Sequence, residues 1–385
     1  MTRPQGDMVQ IHLLTAYPAS LLNRDDVGLA KRMPFGGATR TRVSSQCLKK
    51  HWRESPLVGD LGDVSVRSAR IYERLVAEHL VDELSATEEE AVSIAQFLMD
   101  ATVDTKAQDS REGLEAARSG QLLVLTRAET DFLQDKASEI LQEIREKGLS
   151  PQKPKDVKAN SSFAKDKELK KTLKELKASV DTALFGRMVT SDLFARVDAA
   201  VSVAHAFTTH GEAAETDYFT AVDTLKGEAD DAGAGLIQDT ELTSGVFYLY
   251  AVIDMNQLRE NLVGHETSLS ERLGFNLVKA MATVSPGAKR GSTAPYAFAE
   301  FALLERGDAQ PRTLANAFLE PVPMGGGNAM RASATALLDH RQKLSEMYGD
   351  GGLDAALATI HDVGDVSLPL GSLDEILART FQTDS

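Results

Sequence analysis

The sequence predicts an α+β protein in which a sheet domain is interrupted by a helical one. Strand-like alternation marks residues 8–16, and helical periodicity dominates residues 60–183. Strand-like segments then return at 245–255 and 297–305, between further helical segments. Strands on both sides of a long helical stretch are typical of an α+β fold that contains an insertion.

The N-terminal strand leads into a segment that contains several chain breakers. Residues 8–16 read MVQIHLLTA and alternate as a strand does. Pro18, Pro34 and the pair Gly36-Gly37 then interrupt residues 17–43. We predict irregular structure for this segment.

A short amphipathic helix is predicted over residues 44–55. It begins at Ser44 or Ser45, because a serine hydroxyl accepts from the free N–H groups of a helix start. Leu48 and Trp52 lie on the side that packs. The opposite arc carries the polar side chains of Gln46, Lys49, Lys50 and Arg53. One face of this helix therefore presents three cations.

Helical signals fill the middle of the chain. Thr87–Glu90 and Thr126–Glu129 have the spacing of capping boxes. Apolar residues recur at helical spacing at Leu133, Ala137, Ile140, Leu141 and Ile144. We predict a loop at 149–160, and then a Lys-rich helix whose polar side we interpret as solvated. Its buried side is predicted to consist of Leu169, Leu173, Leu176 and Val180.

The last part of the chain alternates strands with helices. Helices are predicted near 256–263, 268–283 and 332–347. The segment 208–244 is polar and Gly-rich, yet it contains the aromatic pair Tyr218-Phe219. Two aromatic side chains in such a segment favour contact with a partner. A final helix is predicted after the capping box Ser372–Glu375.

Composition and motifs exclude several classes of protein. The 385 residues include one cysteine, Cys47, so neither an internal disulfide nor a zinc site made of cysteines is possible. No apolar core of a signal peptide and no apolar run of membrane-spanning length occurs. We therefore expect a cytoplasmic protein that does not bind a membrane. His205 and His210 are five residues apart, which does not place them on one helix face as metal ligands. No hydrolase or nucleotide-binding motif occurs, so we predict no cofactor and no metal.

The charge of the chain reverses sharply near its N-terminus. The net charge is −15, but Arg24 to Arg53 contains eight Lys or Arg against two Asp. Cations here surround the Gly36-Gly37 turn and a serine-rich helix start, and such features hold phosphate groups. This stretch predicts a focused site for a polyanion on an otherwise acidic surface.

Several sequence blocks resemble the CasC family, the backbone subunits of the type I-E CRISPR Cascade complex. They occur in the order of that family and cover both ends of the chain, whereas residues 60–183 match only loosely. The blocks are NRDD (23–26), FGG (35–37), RTRVSSQ (40–46), LKK (48–50), FGRMVTS (185–191), AHAFTTH (204–210), YFTAVD (218–223), SGVFYLYA (244–251), PGAK (286–289) and LANAF (314–318).

The resemblance implies a hand-shaped subunit of the RAMP superfamily. It implies an RRM-like (ferredoxin-like) palm in two parts, 1–58 and 185–385, and helical fingers inserted at 59–184. A β-hairpin thumb is expected at about 208–244. Copies would polymerise head to tail along the guide RNA (crRNA) in a ribonucleoprotein complex for antiviral defence. The guide would then pair with target DNA, and other Cascade subunits would complete the complex.

The residues at these blocks are the candidate RNA contacts. A guide of any sequence must be held through phosphates and base faces. The candidates for the phosphates are Arg24, Lys31, Arg40, Arg42, Ser44, Gln46, Lys49, Lys50, Arg53 and Lys289. Those for the bases are Met188, Tyr218, Phe219 and Thr220. Arg32, Arg40 and Arg42 are equally consistent with solvated loop charges.

Two other classes of protein remain open at this point. Asp217 and Asp223 flank the aromatic pair, and some members of the same superfamily cut RNA with an aspartate and a divalent metal. A small-molecule enzyme would instead use the basic stretch for a phosphorylated substrate. We expect a protein that is not an enzyme.

Overall fold

The computed structural model is an α+β protein with a large antiparallel sheet. It describes residues 6–102, 111–163, 172–173, 175–187, 194, 196–221, 236–325 and 327–382. At 218–221 and 236–238 it describes the backbone alone.

The chain forms two compact units. The first combines Met1–Val58, Val201–Asn256 and Ser268–Ser385, and it contains the large sheet. The second combines Gly59–Ala200 with Gln257–Thr267 and is mainly helical. The predicted helical insertion ended at residue 184, whereas the second unit continues to Ala200 and adds a short later segment.

The strands and helices have the following bounds. The strands are β1 Met8–Ser20, β2 Arg32–Phe35, β3 Ala38–Val43, β4 Val66–Ser68, β5 Leu123–Leu125, β6 Val201–Val203, β7 Ala206–Thr208, β8 Ala214–Ala221, β9 Leu236–Asp254, β10 Phe301–Gly307 and β11 Asp354–Thr359. The helices are α1 Ser45–Arg53, α2 Pro56–Gly59, α3 Glu78–Leu84, α4 Glu88–Thr102, α5 Arg127–Glu146, α6 Pro154–Asn160, α7 Val180–Phe185, α8 Met255–Asn261, α9 Leu269–Thr283, α10 Arg290–Thr293, α11 Ala329–Tyr348 and α12 Leu373–Phe381. A π-helical turn, Ile71–Ala77, precedes α3, and 3₁₀ turns lie at Gly113–Ala117 and Ala315–Phe318.

The sheet joins both ends of the chain. Its order is β11-β10-β1-β9-β7-β3-β2, and β6 and β8 also pair with β9. All of these pairs are antiparallel. The central strand β1 pairs with β9 from Met8↔Asp254 onwards and with β10 from Met8↔Gly307. β1 is buried along most of its length, as its apolar sequence indicates.

A long hairpin extends from this sheet. β9 is 19 residues long, and only its later part pairs with β1. Its earlier part pairs with β8, from Ala214↔Thr243 to Ala221↔Leu236. The predicted polar segment 208–244 therefore contains two paired strands, and the loop between them lies outside the described residues.

An aromatic core lies on the face of the sheet that α11 covers. Phe207, Tyr248 and Phe318 meet at ring-centroid distances of 5.3 to 6.3 Å, in tilted or edge-on geometry. Met330 and Leu337 of α11 pack onto this cluster. This core supports the strands that carry the candidate site.

The helical unit has its own core, which agrees with the predicted helical stripe. All five predicted stripe residues of α5 are buried. Thr126 and Glu129 form the expected capping box, and Thr87 and Glu90 exchange the same two hydrogen bonds. Leu173 is buried, while Leu169 lies outside the described residues.

Two loop predictions were wrong. Residues 17–43 contain the end of β1 and the hairpin of β2 and β3, and residues 149–160 contain α6. In the first case the glycine pair interrupts regular structure only at the two-residue turn between β2 and β3. Within the described ranges, no helix is both long and apolar enough to cross a membrane.

Candidate nucleic-acid interface

Helix α1 provides the best-defined part of the candidate site. Ser44 is its N-cap, and the hydroxyl accepts from the N–H of Cys47 at 3.3 Å. Leu48 and Trp52 are buried at 3% and 1% exposure, as predicted. The first turn has no acidic residue, so the positive end of the helix dipole is not neutralised within the helix. Gln46 is exposed beside this end.

The charges of three cations act on the side chain of Cys47 in this helix. Burial raises the pKa of the Cys47 thiol, and the positive charges of Lys31, Lys50 and Arg290 partly oppose that rise. Lys50 and Arg290 are exposed, and Lys31 is partly exposed. Charges from the 23–31 loop, α1 and α10 thus act on the same thiol.

A second contact continues this cationic region along β3. The Nη1 of Arg42 lies 2.9 Å from Nδ1 of His205, and its Nε donates to the carbonyl of Arg32 at 3.0 Å. Burial lowers the pKa of His205, and the charges of Arg42 and Lys31 lower it further. We call Lys31, Arg42, Lys50, Arg290 and His205 the basic surface.

Asn23 joins the loop that carries Lys31 to the start of α1. Its carbonyl accepts from the N–H of Lys31 at 3.0 Å, and its side-chain oxygen accepts from the N–H of Ser44 at 2.9 Å. One residue of the NRDD block therefore fixes the position of the loop relative to the helix.

Arg24 and Lys289 lie at a separate small cavity of about 280 Å³. Asp239, Thr240 and Glu241 of β9 also line it. The ammonium of Lys289 donates to the hydroxyl of Thr240 at 2.5 Å, and Arg24 is exposed. These two cations therefore lie where the β8–β9 hairpin leaves the sheet.

The placement of Arg40 contradicts its prediction as an RNA contact. Arg40 is completely buried, and its guanidinium donates to the carbonyls of Phe35, Thr208 and Phe318 at 3.2, 3.1 and 2.7 Å. The interpretation as a solvated loop charge is wrong as well. Arg40 ties β3 to β2, to β7 and to the 3₁₀ turn, because its donors satisfy one carbonyl on each of these three segments.

Ser44 and the Gly36-Gly37 pair also have structural roles. Ser44 is 6% exposed, and its hydroxyl caps α1. Gly36 and Gly37 have φ of +59° and +76° in the turn between β2 and β3. A Cβ on Gly36 would lie 1.8 Å from the carbonyl oxygen of Leu319, so only glycine fits there.

The remaining predicted RNA contacts are partly buried, lie in the β8–β9 hairpin or fall outside the described residues. Lys49 and Arg53 are partly buried, and burial lowers the pKa of Lys49. The backbones of Tyr218, Phe219 and Thr220 pair with those of Asp239, Gln238 and Ile237 in the hairpin. Met188 lies outside the described residues.

Sequence reasoning missed Arg290 and His205 as members of the basic surface. Arg290 directly follows the PGAK block, so its position beside Lys289 was the available signal. His205 lies in the AHAFTTH block, and its ring lies beside Arg42, a neighbour that the sequence does not indicate. In the part of the chain that the structure describes, no three His, Cys, Asp or Glu side chains gather as a metal site requires.

Comparisons with known proteins agree with the sequence blocks. The family model of the CT1975-like proteins matches residues 9–377. A chain from the solved structure "CRISPR RNA-guided surveillance complex, pre-nicking" superposes with a TM-score of 0.81 at 27% sequence identity, over 97% of this chain and 100% of that one.

A second solved structure, "CRISPR RNA-guided surveillance complex", shares the fold alone. Its chain superposes with a TM-score of 0.58 at 20% identity, over 97% of this chain and 99% of that one. No curated protein sequence matches significantly. The chain belongs to the CT1975-like protein family, and the resemblance of its motifs to the Cascade backbone proteins is confirmed.

Proposed function

We propose that this chain is a non-catalytic backbone subunit that binds the guide RNA of a type I-E CRISPR surveillance complex. The observation that carries the proposal is the basic surface. It gathers cations from three segments around α1 in a chain of net charge −15. A local positive field on an acidic protein attracts a polyanion to one site and repels it elsewhere.

The chemistry of this surface suits RNA of any sequence. Lysine and arginine bind phosphate oxygens, and the start of α1 adds a positive dipole beside an exposed amide, that of Gln46. Such contacts position a strand without reading its bases. A guide that changes from one complex to the next requires this kind of binding.

The two units suit the parts that the family resemblance implies. The sheet unit would be the RRM-like palm, the helical unit the fingers, and the β8–β9 hairpin the thumb. Successive copies would bind head to tail along the guide, each hairpin reaching the next copy and separating short groups of nucleotides. The exposed guide bases would then pair with target DNA. Other subunits would cap the assembly in the cytoplasm.

The experiment is a titration of single-stranded RNAs of increasing length over a series of salt concentrations. Stepwise loading of more copies on longer RNA, indifferent to sequence, is expected. We call the magnitude of the fall in log affinity per unit of log salt the salt slope. A Lys50→Ala/Arg290→Ala variant should reduce the salt slope by about 1.4, since each phosphate contact contributes about 0.7 on a single strand.

A matched control removes two other exposed arginines from the same unit. Arg331→Ala/Arg379→Ala removes the same number of positive charges, but these residues pair with Asp362 and Asp354 and are not part of the basic surface. The control should keep the parental salt slope. Binding that saturates with a mononucleotide and does not grow with RNA length would contradict the proposal.

A further inference from the structure

One cation of the basic stretch is held by two carboxylates at the root of the β8–β9 hairpin. The Nε of Arg32 donates to Glu212, and its Nη2 donates to Glu241. Glu212 precedes β8, and Glu241 lies in β9 opposite Thr216. The three side chains are 31%, 22% and 12% exposed.

The same two glutamates bind the neighbouring backbone. The second oxygen of Glu241 accepts from the N–H of Ala30 at 2.8 Å, and the N–H of Glu212 donates to the carbonyl of Thr39 at 2.8 Å. The root of the hairpin is therefore attached to the 23–31 loop, to β2 and to β3. A planar guanidinium between two carboxylates fixes direction as well as distance.

The charges at this place separate Arg32 from the basic surface. Burial works against the charged form, but the hydrogen bonds and charges of Glu241 and Glu212 raise the pKa of Arg32. The two carboxylates occupy the guanidinium of Arg32, so this cation is not available to a phosphate. The adjacent Lys31 instead acts on Cys47 and His205. Neighbouring cations therefore have different roles.

The length of the hairpin makes its direction important. The eight residues of β8 span roughly 26 Å at about 3.3 Å per residue. A rotation of roughly 10° at the root would move the far end by about 4–5 Å. This distance exceeds the rise of one nucleotide along a helical strand, about 3.4 Å.

We propose that Glu212, Arg32 and Glu241 form a clamp that sets the direction of the β8–β9 hairpin and thereby the number of nucleotides between successive hairpins on the guide. The inference rests on the proposed function, and it makes these three residues positioning residues. The clamp holds the hairpin root, and the basic surface holds the phosphates.

The test is a nuclease-protection ladder of a long RNA loaded with many copies of the protein. The parent should give a sharp ladder of constant interval. Glu212→Gln/Glu241→Gln should still load in proportion to RNA length, but its interval should shift or spread over neighbouring positions. Its salt slope should rise by about 0.7, since the released Arg32 becomes free to bind a phosphate.

Two further variants support the comparison. Glu215→Gln/Asp217→Asn removes two exposed carboxylates from the same hairpin outside the clamp, and it should keep the parental ladder. Arg32→Lys keeps the charge but not the planar fork, and it should give an intermediate spread. This variant tests the clamp even when the double variant does not fold.

The outcomes distinguish the clamp from the proposed function. A ladder from the folded clamp variant as sharp as that of the parent overturns the clamp and leaves RNA loading intact. Failure of the parent to load with RNA length overturns the proposed function. Hydrogen exchange without RNA then decides the clamp, since the Ala30 amide should exchange faster in the clamp variant than in the hairpin control. Equal exchange would reject it.

Discussion

Two arginines of β3 show how differently cations of one strand are used. Arg40 is buried against three carbonyls, one of them on Phe318, far away in the sequence. Arg42 is partly exposed and lies beside His205. The first maintains the fold, and the second belongs to the basic surface.

This difference predicts separable effects of the two residues. Arg40→Ala should lower the free energy of unfolding by roughly 3 kcal/mol or more, since three buried carbonyls lose a donor and each costs about 1–3 kcal/mol. At a temperature where the variant is folded, its RNA salt slope should equal that of the parent. Urea denaturation and RNA titration measure the two effects.

Arg42→Ala is the matched comparison. Its free energy of unfolding should fall by only about 0.5–1.5 kcal/mol, because the partly exposed side chain gives up a hydrogen bond to the carbonyl of Arg32. Its salt slope should fall by about 0.7. A stable Arg40→Ala protein with a reduced salt slope would contradict the assignment.

The basic stretch was predictable from the sequence, but the role of each cation within it was not. The run from Arg24 to Arg53 indicated a polyanion site, and the wheel of α1 placed Leu48 and Trp52 on the buried side. Arg32 and Arg40 are not part of the basic surface, because Glu241 binds the first and the carbonyl of Phe318 binds the second. Both partners belong to distant segments that only the folded sheet brings near.

At the scale of elements, the central strands share a buried polar network. His12 of β1 lies 2.9 Å from the hydroxyl of Tyr248 and 3.5 Å from Glu305 of β10, and its ring stacks on Tyr250. Arg341 of α11 pairs with Glu305 at 2.8 Å. The network joins three strands to the helix that covers them.

The network predicts a loss of stability in mild acid. Burial lowers the pKa of His12 more than the contact with Glu305 raises it. Below pH 6.5, the ordinary pKa of a histidine, the unfolded chain therefore binds more protons than the folded one. The stability that the neutral His12 ring contributes is fully present above pH 6.5. It is lost as the pH falls, by up to about 1.4 kcal/mol per pH unit.

Chemical denaturation between pH 7.5 and 5.5 measures this dependence. His12→Gln should unfold at lower denaturant at pH 7.5, yet with a smaller change across the series. A residual slope is expected, because burial also lowers the pKa of His205 and His210. Parallel curves for variant and parent would show that His12 does not titrate as described.

Helices were predicted better than short strands. The caps at Thr126 and Ser372 mark their helices locally, and both form in the structure. The short strand β2 contains Pro34, which reads as a breaker, and it forms because β3 pairs with it across the glycine turn. Register with a neighbour is a tertiary property that a local pattern does not contain.

The whole molecule carries a net charge of −15, and one groove of its surface is strongly acidic. A groove of about 800 Å³ lies among α11, β11, α12 and the loop before α12. Its carboxylates are Asp339, Glu346, Asp350, Asp354 and Asp365. Its two arginines, Arg341 and Arg379, each pair with a carboxylate. Under the proposed function, the field of this groove would repel RNA and favour binding at the basic surface.

Neutralising the groove should therefore weaken the confinement of RNA. Asp339→Asn/Glu346→Gln/Asp365→Asn is expected to raise the affinity for short RNA and duplex DNA by roughly twofold to fivefold at low ionic strength. The gain should nearly vanish at physiological salt, where the Debye length is about 8 Å. Arg331→Gln on the same helix removes a cation that pairs with Asp362 and does not line the groove, so it should bind RNA as the parent does. Fluorescence anisotropy over a salt series decides the matter. Equal affinities for all three proteins at low salt would mean that the basic surface alone confines the RNA.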